Sequence, residues 1–314
     1  MSTEGSNKAV VAALLANSGI AVTKFLAFLL TGASSMLAES IHSVADSGNQ
    51  GLLLLGGRRS RRDPTEEHPF GYGRERYVYA FIVSIVLFSV GGLFALYEAY
   101  HKAHELHATH GHPPDSLLDS RWAWVPIVVL LAAIVMEGLS FRTAIRETAH
   151  VKGEASYVEF VRHAKGPELP VILLEDLAAL CGLVFALLGV SLSLLTQNLW
   201  WDVVGTGLIG LLLVVVAIVL GIETKSLLLG EGASTVVVGR IMDAVEATPG
   251  IDRVVHLKTL HLGPDELLVA AKIAVPPAVS AQTIAETIDA AEASIRAVEP
   301  IARVIYLEPD IART

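Results

Sequence analysis

Cysteine and charge are both scarce in this sequence, and each shortage excludes a class of protein. Cys181 is the only cysteine among 314 residues and lies in an apolar stretch, so neither a disulfide framework nor a cysteine-based zinc finger is expected. Charged residues make up 18% of the chain, against about 25% in a soluble domain. No basic stripe with interleaved aromatic residues is present, which excludes a nucleic-acid partner. The sequence also shows no nucleophile–base constellation, phosphate loop or cofactor motif, so neither an enzyme nor a cofactor is expected.

Long apolar runs replace the missing charge. Hydrophobic residues make up 53% of the chain, and a transmembrane helix needs about 20 consecutive, mostly apolar residues. The sequence predicts six such helices: Ala9–Leu30, Ser35–Leu55, Tyr77–Tyr97, Trp122–Phe141, Leu169–Val190 and Trp201–Ile222. The polar start at residues 1–8 leads into an apolar run without an A-x-A-like cleavage site, which indicates a retained first span rather than a signal peptide.

Basic residues predict the orientation of these spans. Lysine and arginine are enriched in cytoplasmic loops, and here they concentrate in the loops after the second and fourth spans. The loop after the third span has only Lys102 and Arg121, and the loop after the fifth has none. We therefore expect a multi-pass protein of the bacterial inner membrane with both termini in the cytoplasm.

A soluble domain is predicted after the last span. Residues 1–224 form the predicted transmembrane domain, and residues 225–314 form a cytoplasmic domain with the pattern helix, strand, strand, helix, strand. The predicted elements are Thr235–Thr248, Asp252–His261, Leu267–Val275, Ala281–Val298 and Ile301–Leu307. This order is typical of a ferredoxin-like, or metallochaperone-like, α/β fold with helices on one face of an open sheet.

The second span carries ionisable residues at membrane depth. Such groups are costly in a bilayer and mark functional sites by default. His42 and Asp46 are four residues apart, so they lie on one face of the helix. An imidazole and a carboxylate at this spacing form half of a site for a cation such as zinc. Glu39 and Asn49 are candidates for supporting contacts. The alternative is a polar seam that only holds helices together.

The fifth span supplies two further carboxylates, Glu175 and Asp176. Adjacent residues of a helix point about 100° apart, so both cannot aim squarely at one ion. One of them is expected to bind metal, while the other accepts a proton or a supporting hydrogen bond. Lys24 and Glu137 are further charged residues within the predicted spans, and for both we favour snorkelling or a structural ion pair over direct involvement.

Four segments resemble the cation diffusion facilitator family of metal exporters. A-E-S-I-H-S-V-A-D-S-G-N-Q at 38–50 and H-P-F-G-Y-G-R at 68–74 resemble the family as a whole. V-I-L-L-E-D-L-A-A-L at 171–180 and H-L-G-P-D-E-L-L-V-A-A-K at 261–272 resemble the branch that contains the animal mitochondrial zinc exporter. The resemblance implies a homodimer in which each subunit exchanges cytoplasmic divalent metal, usually Zn²⁺, for protons by alternating access.

The resemblance implies a metal site that is incomplete in this chain. His42 and Asp46 match the family's ligands in the second span, and Asp176 matches its aspartate in the fifth. The usual ligand four residues before that aspartate is Ile172, which cannot coordinate a metal. Glu175 is the favoured fourth ligand, with Asn49, Glu39 or a water as alternatives. A carboxylate-rich site is harder, so Mn²⁺, Fe²⁺ and Co²⁺ are alternatives to Zn²⁺.

Three secondary sites follow from the same resemblance. In the loop after the second span, Tyr72 replaces a histidine, so Asp63 and His68 form at most a weak metal site. A charge interlock is expected between Arg74 and Glu231. The family's metal cluster in the C-terminal domain is mostly missing. His256 fits one position of that cluster. The other positions hold Lys272, Tyr306 and Glu308, which do not match it.

The predicted function is therefore export of a divalent metal by proton antiport, with the bilayer, metal ions, protons and a second copy of the chain as partners. A non-transporting scaffold or regulator is one alternative, because the fifth-span motif is altered. A passive metal channel is the other. The histidines of the loop after the third span, at 101, 104, 107, 110 and 112, are expected to face outward, where weak zinc binding is open to them but a role in transport is not favoured.

Overall fold

The computed structural model describes residues 18–109, 117–118 and 121–311. The membrane part contains α1 (Ser18–Thr31), α2 (Ser34–Arg59), α3 (Glu75–Val86), a π-helix (Leu87–Leu93), α4 (Phe94–Ala108), α5 (Val125–Val151), α6 (Tyr157–His163), α7 (Glu168–Thr196) and α8 (Trp200–Leu229). The C-terminal part contains α9 (Thr235–Glu246), β1 (Arg253–Gly263), β2 (Glu266–Val275), α10 (Ala281–Val298) and β3 (Ala302–Ile311).

The predicted spans all fall on helices of the described residues. The first is described only from Ser18 onward, so residues 9–17 of that prediction lie outside the described part. Among the described helices, four are long and apolar enough to cross a membrane by length and composition: Glu75–Ala108, Val125–Val151, Glu168–Thr196 and Trp200–Leu229. The two remaining predicted spans are the short apolar helix α1 and the more polar helix α2, which carries the candidate residues His42 and Asp46. The chain thus has the predicted membrane helical domain followed by a small α/β domain.

A π-helix interrupts the third span, which the sequence predicts as uninterrupted. It runs through Leu87–Leu93 and continues directly into α4. Its residues Leu87, Gly91 and Gly92 are buried. Short π-helical segments inside α-helices occur frequently at functional sites, and this segment lies beside His42, as described below.

The start of α2 is fixed by a buried aspartate on α8. Asp202, 2% exposed, accepts hydrogen bonds from the backbone N–H of Ser34 (2.7 Å) and of Ser35 (3.3 Å) and from the Ser35 hydroxyl (2.5 Å). The first N–H groups of a helix have no partner within the helix. Asp202 therefore caps α2 from a helix that is distant in sequence.

The chain separates into two compact units. One contains the residues up to Leu55 together with Tyr79–Glu223, and the other contains Gly56–Val78 together with the residues from Thr224 onward. The loop after α2, which the sequence assigns to the transmembrane domain, thus groups with the C-terminal domain.

The C-terminal domain has the predicted ferredoxin-like order of elements. Its sheet has the order β1-β2-β3, with β1 and β2 antiparallel and β2 and β3 parallel. Period-two burial along β2 places Leu267, Val269 and Ile273 in a core that α9 and α10 cover. The prediction that the last strand ends before Glu308 was wrong, because β3 continues to Ile311. β3 pairs with β2 and lies at an edge of the sheet, where proline is tolerated, so Pro309 does not end it.

The loop after α2 packs on the β1–β2 hairpin within the C-terminal unit. A Cβ atom added to Gly73 would lie 2.8 Å from the carbonyl oxygen of Leu262 and 3.2 Å from the Cα of Gly263. Arg76 Nη1 lies 2.7 Å from Asp265 Oδ2 in the hairpin turn. The two backbones can approach this closely because both positions, Gly73 and Gly263, are glycine and carry no Cβ. The H-P-F-G-Y-G-R segment therefore has a structural role in this unit.

Candidate metal centre

The His42–Asp46 pair lies on α2 as the spacing predicts. Nδ1 of His42 is 3.4 Å from Oδ1 of Asp46, and the two side chains are 1% and 16% exposed. Neither ring nitrogen of His42 has a hydrogen-bond partner, and Oδ1 of Asp46 has none either. Buried polar atoms are normally paired, so these three unpaired atoms mark a place where a ligand can bind.

The π-helix of the third span approaches His42 closely. A Cβ atom added to Gly91 would lie 3.9 Å from Nδ1 of His42 and 3.2 Å from a methyl group of Leu213. The π-helix therefore brings backbone, rather than a side chain, against the imidazole.

The two carboxylates of α7 have different partners. Glu175 is 5% exposed, and its Oε1 accepts a hydrogen bond from the Asn49 amide at 2.5 Å. Asp176 accepts a hydrogen bond from the Ser140 hydroxyl of α5 at 2.9 Å. Glu175 thus faces α2 and Asp176 faces α5, in agreement with the expectation that adjacent residues diverge. Asn49 contacts Glu175, as a supporting residue would.

A small cavity of about 80 Å³ connects these residues. Its polar lining comes from α2, α5 and α7: Asp46, Gln50, Glu137, Ser140, Glu175 and Asp176. His42 is not part of this lining, although its imidazole adjoins Asp46. Among the described residues, no three histidine, cysteine, aspartate or glutamate side chains converge closely enough to hold one metal ion. The described structure therefore places Asp46, Glu175 and Asp176 around one cavity, with His42 beside Asp46, but does not bring the predicted ligands together as one metal site.

Glu39 is engaged away from the cavity, in a buried ion pair with Lys24. Nζ of Lys24 is 2.9 Å from Oε2 of Glu39 and 2.8 Å from the Ser43 hydroxyl, and both charged residues are at most 1% exposed. Lys24 forms the structural ion pair that the sequence favours. The other oxygen, Oε1, has no hydrogen-bond partner and points at α7, 2.8 Å from where a Cβ on Gly182 would be.

The secondary sites stay predictions. His68 stacks on Tyr72 with ring centroids 4.7 Å apart, and Asp63 is exposed. The Arg74 guanidinium lies beside Gly230, 3.5 Å from the position of a Cβ there, which brings Arg74 next to the residue preceding Glu231.

In the C-terminal domain, a lysine ammonium lies among acidic side chains. Lys272 lies opposite His256 in the sheet register. Its Nζ is 3.1 Å from Glu308 and 3.3 Å from Asp310. These hydrogen bonds, that to Glu308 first, raise the pKa of Lys272 above its ordinary value. The two carboxylates thus have a cation of the chain itself as their partner.

Sequence reasoning missed the contribution of α5 to the cavity. Glu137 and Ser140 are one helical turn apart and line it together, but the sequence suggested only a structural role for Glu137 and none for Ser140. A charged residue and a hydroxyl at i, i+3 in an apolar span are a weak signal that could have indicated this face.

The chain matches two family descriptions that together cover nearly its whole length. Residues 10–229 match the cation efflux transmembrane domain, and residues 233–310 match the cation efflux protein cytoplasmic domain. The matches confirm the resemblance and agree with the expectation that the chain is not an enzyme.

Similar proteins occur in animals, plants and bacteria. The chain is 33% identical over 263 residues to the mitochondrial proton-coupled zinc antiporter SLC30A9 of Mus musculus, which covers 83% of this chain and 44% of that protein. It is 28% identical over 272 residues to metal tolerance protein C4 of Arabidopsis thaliana, and the match covers 85% of this chain and 57% of that protein. It is 24% identical over 258 residues to the magnetosome protein MamM of Paramagnetospirillum magneticum, and the match covers 80% of this chain and 72% of that protein.

Solved structures of the MamM C-terminal domain are also similar. One is 24% identical, with a TM-score of 0.24, and covers 25% of this chain and 94% of that one. The chain spans about half the length of the mitochondrial and plant relatives. The match of residues 10–229 alone extends over more than half of the chain, and this protein therefore belongs to the cation efflux family.

Proposed function

We propose that this protein exports a divalent metal ion, with Zn²⁺ as its substrate, in exchange for protons. The observation that carries the proposal is the group of carboxylates lining one cavity beside a histidine with no hydrogen bonds, in the membrane part of a chain of the cation efflux family. Mn²⁺, Fe²⁺ and Co²⁺ are alternative substrates.

The ion binds between α2 and α7 in this proposal. His42, Asp46 and Asp176 are its ligands, and Glu175 is the fourth. Zn²⁺ is bound at about 2.0–2.2 Å by histidine nitrogen and carboxylate oxygen, so the side chains have to close around it. Asn49 orients the Glu175 carboxylate through their hydrogen bond, and partners of this kind tune a ligand.

Proton coupling follows from the chemistry of the proposed ligands. Only a neutral imidazole binds metal, so metal and proton compete for His42. The unperturbed pKa of histidine is about 6.5, which makes this competition effective near neutral pH. The name of the relative SLC30A9, a proton-coupled zinc antiporter, supports the same coupling.

The remaining parts of the proposal concern assembly and location. The protein is a homodimer of the bacterial inner membrane with both termini in the cytoplasm. The match to the cation efflux cytoplasmic domain supports dimerisation, and the basic loops after the second and fourth spans support the orientation. Cross-linking in native membranes that gives only monomer would contradict the dimer.

Transport into sealed vesicles that contain a metal-sensitive dye tests the proposal. An antiporter takes up Zn²⁺ when a pH gradient is imposed, and this uptake stops when the gradient is dissipated. A passive channel takes up metal in response to metal and voltage alone, and a scaffold takes up none. Either of the last two results would replace the proposal by that alternative. The His42→Ala variant, confirmed to be inserted, is the negative control.

A further inference from the structure

The third wall of the acidic cavity comes from α5, which the family resemblance does not include in the metal site. Glu137 and Ser140 of this helix line the cavity together with Asp46 and Asp176. The Ser140 hydroxyl donates to Oδ2 of Asp176 at 2.9 Å. Because Glu137 lies one turn before Ser140 on the same face, its carboxylate belongs to the same cavity as the proposed ligands.

The carboxylates in this cavity differ in their availability. Oε1 of Glu175 accepts a hydrogen bond from Asn49, and Oδ2 of Asp176 accepts one from Ser140. Within the described part of the chain, Glu137 takes part in no ion pair or hydrogen bond, and the nearby cation Lys24 pairs with Glu39 instead. Glu137 is therefore free to bind a cation that enters the cavity.

A second observation, independent of the acidic residues, marks the same place as a binding site. His42 is 1% exposed, yet both of its ring nitrogens are without hydrogen-bond partners, and Nδ1 lies 3.4 Å from Oδ1 of Asp46, a residue that lines the cavity. Such atoms are costly to leave unpaired in a folded protein. An ion that bridges the imidazole and the cavity carboxylates would satisfy them.

We propose that Glu137 is a ligand of the transported metal. The inference rests on the proposed function and deepens it, since it adds a coordinating carboxylate from α5 to the proposed ligands on α2 and α7. The site then combines one imidazole with oxygen donors from three helices. Zinc accepts such a mixed set, and hard cations such as Mn²⁺ favour its oxygen part.

Equilibrium binding of Zn²⁺ and of Mn²⁺ to the purified full-length protein tests this role. Removing a group that merely supports a ligand costs about 10–100-fold in affinity, so Glu137→Gln is expected to weaken both metals by about 100-fold or more. Glu147→Gln removes an exposed carboxylate ten residues further along the same helix and should leave both affinities unchanged. Size-exclusion chromatography and thermal unfolding confirm that each variant is folded.

A second substitution separates coordination from charge. Glu137→His replaces the carboxylate by an imidazole, which binds zinc well and manganese poorly. We expect Zn²⁺ binding to recover at least about tenfold relative to Glu137→Gln, while Mn²⁺ binding stays weak. If histidine restores neither metal, Glu137 acts by charge or packing and the proposal is overturned.

Asp46→Ala distinguishes the failure of this inference from the failure of the proposed function. If Asp46→Ala abolishes binding while Glu137→Gln binds Zn²⁺ like the wild type, Glu137 is not a ligand and the site between α2 and α7 stands. If both variants bind like the wild type, the ion binds elsewhere and both proposals are wrong.

Discussion

Asp202 is the single residue on which the start of α2 depends most directly. It accepts from two backbone N–H groups and one hydroxyl in a buried environment. Leaving such donors unpaired costs about 1–3 kcal/mol. We therefore expect Asp202→Ala to lower the free energy of unfolding by about that amount, measured by denaturant unfolding in detergent. Ser35→Ala removes only the hydroxyl and is the matched control; equal losses in both variants would contradict the capping role.

Substitutions can distinguish the roles of the two adjacent carboxylates of α7. Asp176→Ala removes a proposed ligand, so metal uptake into vesicles across a pH gradient should fall to background. Glu175→Gln keeps the shape and removes the charge, so uptake should weaken and its pH dependence should change. Normal transport by Asp176→Ala together with loss in Glu175→Gln would mean that Glu175 is the principal ligand.

At the residue scale, the sequence predicted which residues are candidates for the site better than it predicted which residues they contact. His42 and Asp46 were found because an i, i+4 pair at membrane depth is a local pattern. The capping role of Asp202 was not predicted, because its partners lie on another helix and local spacing carries no information about them. Glu137 was noted as a charged residue, but its place in the cavity depends on how the helices pack, which local spacing does not show. For Lys24, a structural ion pair was among the predicted roles, but Glu39 was not predicted as its partner.

At the scale of elements, the close contact between α2 and α7 depends on glycine, which has no side chain, at position 182. A Cβ on Gly182 would lie 2.8 Å from Oε1 of Glu39, which is held by Lys24. We expect Gly182→Ala to destabilise the protein by about 1–3 kcal/mol, as overpacking does. Gly138→Ala on α5 meets nothing within 4 Å and should be neutral or stabilising by about 0.5–1 kcal/mol. Equal thermal stability of the two variants would show that Glu39 moves aside freely.

The sheet of the C-terminal domain has a charge-dependent stability of its own. The pKa of Lys272 is raised by its bonds to Glu308 and Asp310, so the folded state favours the charged form. This stabilisation is fully present below the unfolded pKa of about 10.4 and is lost as the pH rises through the higher folded value. The difference in unfolding free energy between the wild type and Lys272→Met should thus stay constant from about pH 8 to pH 10 and shrink above.

Denaturant unfolding followed by circular dichroism across this pH range provides the test. Lys258→Met removes an exposed lysine of the neighbouring strand and is the control. A difference between the wild type and Lys272→Met that grows above pH 10 would have the wrong sign for a raised pKa.

Helices and strands were the most predictable level of the structure. Apolar runs marked the spans because that pattern is local, and the three predicted strands fall on β1, β2 and β3. The π-helix at Leu87–Leu93 was missed because its apolar composition does not differ from that of an α-helical span. The extension of β3 through Pro309 was missed because proline is excluded from strand interiors but not from edges, and edge position is a property of the sheet.

At the scale of the whole molecule, the orientation in the membrane can be read with single cysteines. Replacing Cys181 by serine removes the only native thiol. Glu66→Cys then introduces an exposed thiol in the loop after the second span, and His107→Cys introduces one in the last turn of α4, at the end of the third span. In intact cells, a membrane-impermeant maleimide should label His107→Cys at once and Glu66→Cys only after lysis. The reverse pattern would invert the proposed topology.

The close approach of Gly73 and Gly263 has a consequence for how this protein can be recombined. Because Gly56–Val78 groups with the residues from Thr224 onward, the C-terminal module is discontinuous in sequence. A chimera that exchanges only the last part of the chain for that of a relative would set a foreign hairpin against the native loop. Grafting both segments together preserves the matched surfaces, so we expect two-segment chimeras to yield well-folded protein where one-segment chimeras fail.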